Sequence, residues 1–303
     1  MAEHGQGLGR PEVAEVQELV GGLDSLAVAS GGHDGDAKPD EGLAIVPFGT
    51  PPPTEDCPLC FIPLPRAGKQ LMYVPCCGQV FCGACAFESE RVLNVKNAKR
   101  AEKKLKRLSP LCPFCRTPAV PTSDEELVRR YEKRAEKGDK IAIFSLAGYC
   151  RDGHHGLAKD LRKYYDLVRR AADLGHTDAT TCLGRLYAFG EYGGSLDEKR
   201  GRELLEKAAK SGNTHTLVDL AALERENGRT ELSLTYLRTA AAAGDDYAVK
   251  DLWKSFRADK ISKDGLLKSL WAHQKANEDM RSEERERYKR WTKAQEEKKQ
   301  AKA

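Results

Sequence analysis

Eight of the chain's ten cysteines fall between Cys57 and Cys115, and that clustering constrains the fold more than any other feature. They read Cys57-Pro-Leu-Cys60, then Cys76-Cys77-Gly-Gln-Val-Phe-Cys82-Gly-Ala-Cys85, then Cys112-Pro-Phe-Cys115. A Cys-x-x-Cys turn aims two sulfurs at one point, and two such pairs close a tetrahedron around zinc with Zn–S bonds of about 2.3 Å. Eight thiols suit two structural zinc ions. Disulfides are the alternative use of so many cysteines. However, the start Met-Ala-Glu-His-Gly-Gln-Gly has no basic stretch leading into an apolar run, so no signal peptide is expected. Clustered Cys-x-x-Cys pairs in an intracellular chain point to metal rather than oxidation.

The order of the pairs resembles the RING finger, a cross-braced two-zinc module. The resemblance implies that the first and third pairs share one zinc, giving Cys57, Cys60, Cys82 and Cys85. The second zinc would take Cys77, Cys112, Cys115 and one more ligand. Where the family has Pro-Cys-Gly-His-x-x-Cys, this chain has Pro75-Cys76-Cys77-Gly78-Gln79-Val80-Phe81-Cys82. No histidine lies between Cys60 and Cys115. The fourth ligand is then Cys76, as in family variants that use only cysteine, with the Gln79 position as the open alternative.

The resemblance also implies a function. In RING proteins an apolar residue between the first two ligands and the proline of the last pair contact a ubiquitin-conjugating enzyme. Those positions are Leu59 and Pro113, with Phe61 and Phe114 adjoining. Arg116 stands where the family often has a cation that pins ubiquitin to its carrier. No nucleophile is required, because holding a flexible thioester in an attack-ready geometry converts lost freedom into rate. The other function class is a non-enzymatic adaptor, in which zinc only holds a fold.

Behind this module the chain becomes periodic. Ser123-Asp-Glu-Glu126 has the form of a capping box, so a helix is expected there. The helix ending Arg134-Ala-Glu-Lys-Gly138 returns as Arg170-Ala-Ala-Asp-Leu-Gly175, Lys207-Ala-Ala-Lys-Ser-Gly212 and Ala240-Ala-Ala-Ala-Gly244. Leu146, Leu183, Leu220 and Leu252 follow these glycines in register, and Gly153, Gly190 and Gly228 close the first helix of each unit. A period of this size means a stack of helix pairs.

The pattern around Cys182-Leu-Gly-Arg-Leu-Tyr187-Ala-Phe-Gly190 resembles the Sel-one-like repeat, a relative of the tetratricopeptide repeat. Copies are placed at 139–175, 176–212 and 213–244, with a degenerate fourth at 245–277; the third has lost its inter-helix loop. A RING followed by such repeats resembles a family of eukaryotic proteins common among unicellular algae, over roughly residues 55–280. Stacked helix pairs present a curved surface to peptides or proteins, so the repeats are expected to recruit a protein substrate.

The expected architecture is mostly α. A disordered N-terminal region (1–53) leads to the zinc module (54–120), an α-α repeat solenoid (123–277) and a charged helical tail (278–303). Residues 1–50 are rich in Gly, Asp, Glu and Ala, too polar to offset their ordering entropy. A short helical pattern at Pro11–Val20 is the exception, and Pro51-Pro52-Pro53 stiffens the approach to Cys57. Within the module, Met72–Val74 and Val80–Phe81 read as a hairpin and Ala86–Leu108 as a helix. The helix ends in the basic run Lys96–Arg107, expected to be a solvated face. Without interleaved aromatics it is poorly suited to nucleic acid.

A formal charge of +4 from 50 basic and 46 acidic residues likewise points away from nucleic acid as the main partner. Apolar runs fall short of the roughly 18 residues a membrane span needs, and the protein is expected in cytoplasm, nucleus or both. His154-His155 reads as loop, and Cys150 and Cys182 as small core residues. Trp253 and Trp271 are read as caps of the array's end. The tail after Met280 lacks an apolar stripe and is expected to be solvated.

Overall fold

In the computed structural model, residues 55–64, 71–193, 196–278 and 281–300 are described. All of them belong to one unit, Ala44–Ala303. The expectations for residues 1–53, including the Pro11–Val20 helix and the triple proline, lie outside the described residues.

The head begins with strands β1 (Leu71–Val74) and β2 (Gln79–Cys82), paired antiparallel with Leu71 opposite Cys82 and Val74 opposite Gln79. The hairpin contains the expected Met72–Val74 and Val80–Phe81 and is slightly longer. Helix α1 runs Gly83–Glu102, shifted from the expected Ala86–Leu108 at both ends. It starts early because Cys82 is its N-cap, which puts Cys85 in the first turn. It stops early because Lys104 turns left-handed, at φ 53°, and the chain folds back. Asn97 then brackets Leu108, donating to its carbonyl at 3.0 Å and accepting from its N–H at 2.7 Å. That return delivers Cys112 to the head.

The array follows. Helix α2 (Asp124–Glu136) is capped by Ser123, whose hydroxyl accepts from the Glu126 N–H at 3.2 Å. The reciprocal arm of the expected capping box shifts by one residue: Glu126 accepts from Thr122 N–H at 2.6 Å, not from Ser123. Four helix pairs come next. They are α3 (Lys140–Asp152) with α4 (Leu161–Asp173), and α5 (Thr177–Phe189) with α6 (Glu198–Lys210). The last two are α7 (His215–Glu226) with α8 (Thr230–Ala242), and α9 (Asp246–Arg257) with α10 (Lys263–Glu278). The three residues between α7 and α8 account for the shorter third copy.

One local device sets this geometry. Gly138, Gly175, Gly212 and Gly244 are all left-handed. At the first, Gly138 N–H reaches Ala135 O at 3.0 Å and Asp139 N–H reaches Arg134 O at 3.1 Å, the Schellman pair that satisfies orphan carbonyls. The next residue then opens the following helix: Asp139, His176 and Asp245 each accept from N–H groups of its first turn. Two residues thus end one helix and start the next. In the fourth copy Asp259, at φ 52°, takes the left-handed place held earlier by Gly153, Gly190 and Gly228. Asp tolerates that region better than most non-glycine residues, and the substitution is why the fourth copy looks degenerate in sequence.

The register leucines Leu146, Leu183, Leu220 and Leu252 are all buried, as are the paired alanines of α4, α6 and α8. The closest approach is α5 against α6, where a Cβ on Gly201 would lie 2.6 Å from the Cα of Ala188. Backbone cannot yield as a side-chain tip does. Gly201→Ala is therefore expected to destabilise by about 2 kcal/mol through overpacking. Gly148→Ala in α3, which meets nothing within 4 Å, is expected to stabilise by about 0.5–1 kcal/mol through helix propensity. Urea midpoints of the two variants check the pair.

Two expectations change. Trp253 packs partly buried on the core, but Trp271 lies on the outer surface of α10 with Lys275 5.5 Å over its ring. The tail is not simply solvated. Helix α11 (Glu283–Gln300) returns to the head and packs along α1. Tyr288 and Trp291 meet Phe87 at ring distances of 6.1 and 5.4 Å, and Arg287 pairs with Glu88 at 2.9 Å. Gly83 makes room for the Tyr288 ring, which a Cβ there would meet at 2.8 Å. The buried Arg285 donates to Pro63 O at 2.7 Å. Cations and aromatics with long stems supply the buried face that an aliphatic stripe usually gives.

Candidate metal centre

The structure gathers the eight cysteines into two groups of four. One holds Cys57, Cys60, Cys82 and Cys85, the other Cys76, Cys77, Cys112 and Cys115, with the sulfurs of each group within 4.8 Å of one another. In the first, Cys57 and Cys85 lie 3.9 Å apart and Cys60 and Cys82 3.8 Å. In the second, Cys77 and Cys112 lie 3.7 Å apart and Cys76 and Cys115 3.5 Å. Four Zn–S bonds of about 2.3 Å in a tetrahedron require S···S edges of about 3.8 Å. Two edges of each group, at 3.5–3.9 Å, are close to that length, and all-thiol sets suit zinc chemically. The groups interleave along the chain, first and third pairs in one, second and fourth in the other. Gln79 is exposed at the start of β2 and outside the second group; Cys76 stands there instead.

The two outer pairs are the same local structure. Cys57 N–H bonds Ile62 O at 3.0 Å and Phe61 N–H bonds Cys57 O at 2.8 Å. Cys112 N–H bonds Thr117 O at 2.8 Å and Arg116 N–H bonds Cys112 O at 3.1 Å. Phe61 and Arg116, each just past the second cysteine, are both left-handed, at φ 57° and 61°. An isolated bridge closes each loop, Asp56 with Pro63 and Leu111 with Pro118. The shared spelling Cys-Pro-x-Cys-x-x-Pro was the available signal for these twin loops.

The loops also tune the thiols. Burial raises Cys57, but backbone N–H groups of Cys82, Leu59 and Cys60 outweigh it and bring the thiol to about 7. Thr117, through hydroxyl and backbone, lowers Cys115 to about 6. Burial pushes Cys77 up to about 12, and Cys85 is pushed up as well. Each group thus offers one thiol ready to bind as thiolate, Cys57 or Cys115, and at least one whose proton a metal must displace, Cys85 or Cys77. The groups differ in shelter: Cys57 and Cys82 are buried in the first, whereas Cys115 is exposed in the second.

Of the residues expected to meet a conjugating enzyme, Phe61 is 78% exposed and Leu59 37%. Pro113 and Arg116 are exposed too, while Phe114 turns inward and packs edge-on against Phe81 at 5.7 Å.

The head is fastened to the array through residues that the sequence did not single out. Tyr73 of β1 donates its hydroxyl to Asp139 Oδ2 at 2.8 Å, and Arg134 donates to the same oxygen at 2.9 and 2.7 Å. Asp139 Oδ1 meanwhile caps α3. Burial and Asp139 push the Tyr73 phenol far up, so it stays a donor.

Along the array, first helices are stapled by polar pairs. Asn213 donates to Asp178 at 2.8 Å, Thr181 and Thr216 share a bond of 2.7 Å, and His215 meets Asp245 at 3.2 Å. Cys150 is buried; Cys182 lies 2.8 Å from the Tyr164 hydroxyl. His155 pairs with Asp124 at 2.7 Å, a loop-to-helix contact.

Helix-pair repeats and two interleaved four-cysteine groups define a class: a helical-repeat protein with a head able to hold metal ions. No protein-family model matches the chain, and no curated protein matches it. Among solved structures, it is similar to a Sel1 repeat protein from Oxalobacter formigenes, at 28% identity over 42% of this chain and 97% of that one, TM-score 0.37. It is also similar to a protective antigen of uropathogenic Escherichia coli displaying an SLR fold, at 19% identity over 59% and 45%, TM-score 0.41. A third is the immunity protein Pa5087 from Pseudomonas aeruginosa, at 24% identity over 57% and 69%, TM-score 0.38. Superpositions this loose do not establish a fold, so the repeat architecture rests on the chain's own helix pairs. Among the described residues no helix is long and apolar enough to cross a membrane.

Proposed function

We propose that this chain is a RING-type ubiquitin ligase with two structural zinc ions in its head and a protein substrate recruited by its repeats. The interleaving of the two four-cysteine groups is the observation that supports this most. Cross-bracing holds both Cys-Pro-x-Cys loops in one rigid body and leaves Leu59, Phe61, Pro113 and Arg116 in water. Bound zinc would supply cross-links and no reaction chemistry, since four thiolates leave no open position. The chain's own residues would bind the conjugating enzyme through Leu59, Phe61 and Pro113 and fix the thioester-linked ubiquitin beside Arg116. A reducing compartment, cytoplasm or nucleus, would keep the thiols available.

A ubiquitin-chain assay with a panel of conjugating enzymes tests this. Leu59→Ala and Arg116→Ala are each expected to slow chain formation about tenfold, the loss typical of an anchoring contact, without lowering metal content. No chains with any enzyme would leave the adaptor reading, in which head and repeats are both binding surfaces.

A further inference from the structure

The run Lys96–Arg107 is the solvated face expected of it, and among the described residues its cations face water without carboxylate partners. It holds seven cations, Lys96, Lys99, Arg100, Lys103, Lys104, Lys106 and Arg107, against a single carboxylate, Glu102. Some arginines of the array are tied to carboxylates, as Arg134, Arg202 and Arg229 are. Among the described residues none of these seven forms an ion pair. Nor is the run a loose coil. Leu105 N–H bonds Arg100 O at 2.9 Å, Arg100 Nε bonds Lys106 O at 2.8 Å, and Asn97 holds Leu108 from both sides.

The fold-back leaves a groove of about 260 Å³ lined by Asn94, Asn97, Ala98, Ala101, Leu105 and Arg107. Leu105 in its lining and Leu108, held by Asn97, stand 50% and 40% exposed. Arg107 lines this groove together with Leu105, and Lys104 and Lys106 flank Leu105 in the chain, a combination that favours a ligand anionic and apolar at once.

We propose that this arm, the second half of α1 with residues 103–108, docks an acidic protein segment that seats an aliphatic side chain in the groove. Charge complementarity selects the acid, because unpaired exposed cations attract and steer an anionic partner. The groove selects a polypeptide over nucleic acid, because its lining of asparagine, alanine, leucine and one arginine offers no aromatic ring for base stacking. A fixed arm also loses little freedom on binding, which favours affinity. This inference is independent of ligase activity, since an adaptor would use the same arm.

The test is fluorescence anisotropy on the full metal-loaded chain with three probes: a short peptide of glutamate and leucine, an all-glutamate peptide of equal charge, and a short oligothymidylate. The glutamate–leucine peptide is expected to bind tightest. The double variant Lys103→Glu, Lys106→Glu is expected to weaken it about tenfold or more, with metal content unchanged. Ala101→Trp fills the groove and keeps every cation, and should reduce that peptide to the level of the all-glutamate one. Tighter binding of the oligothymidylate, equal binding of the two peptides by the unaltered chain, or indifference to charge reversal would each overturn the proposal.

Discussion

Replacing Cys82 with serine is expected to remove the first metal and unfold the head, including helices more than a hundred residues apart in sequence. Cys82 is buried, caps α1, lies 3.8 Å from Cys60 and donates its N–H to Cys57 Sγ at 3.4 Å. The head's own core is small: Cys57, Leu64, Phe81, Cys82 and Ala84. Structural zinc contributes about 10–16 kcal/mol in small modules, whereas Leu64 and Phe81, the two large members of that core, contribute about 1.5–3 kcal/mol each. Metal binding and folding are coupled in such a module, so metal loss by itself would unfold residues 55–118 and spare the helical array. The structure extends the damage, because α11 rests on α1 through Tyr288 and Trp291.

Metal content should fall by at least one ion per chain, with amide protection lost in both α1 and α11 and kept in α3–α10. The exposed Cys115 is the contrast. Cys115→Ser should cost the second ion while leaving the protection of α1 and α11 largely in place. Full protection of α1 in the Cys82 variant would show that metal does not hold the head.

The second large effect lies in the array. Glu224→Ala is expected to destabilise by about 3 kcal/mol. Glu224 on α7 is fully buried and receives both Arg202 of α6 and Arg229 at the start of α8, so one carboxylate joins three helices. Removing one partner of a buried ion pair costs about 3–5 kcal/mol. The lower end applies because both guanidiniums are partly exposed and can rehydrate.

Burial works to raise the Glu224 carboxyl, but Arg229 and Arg202 overcome it and hold it below the ordinary carboxylate range. A depressed native pKa gives stability that is present above the unfolded value of about 4.3 and lost as pH falls through the native one. Urea midpoints of the unaltered protein should therefore drop at acid pH more steeply than those of Glu224→Gln. Because repeats unfold by neighbour terms, protection in α6–α8 should go first. Equal acid slopes for the two proteins would remove Glu224 from the account.

Much of this molecule was legible beforehand because its cues are local. A Cys-x-x-Cys turn, a glycine that must be left-handed and a leucine eight residues later each act within a few residues of chain. The β hairpin, four helix pairs and the lost loop of the third copy all emerged from such cues. The residue after two of the helix-ending glycines was equally readable, since Asp139 and Asp245 are good cap formers.

Other features needed the third dimension. Two adjacent cysteines satisfy one group only because the hairpin turn presents Cys76 and Cys77 to a loop far along the chain. The end of α1 was set by Asn97 gripping Leu108, a contact that helix periodicity does not register. The partner of α11 was the least visible. Glu88 and Arg287 stand 199 residues apart, and a stretch spelled Arg-Glu-Arg-Tyr-Lys-Arg-Trp reads as solvent-facing when judged alone. Amino-acid order by itself determined which segments turn, coil or could grip metal, since those choices are settled between neighbours. Only tertiary structure decided that the tail closes on the head, because that depends on surfaces that exist once everything else has folded.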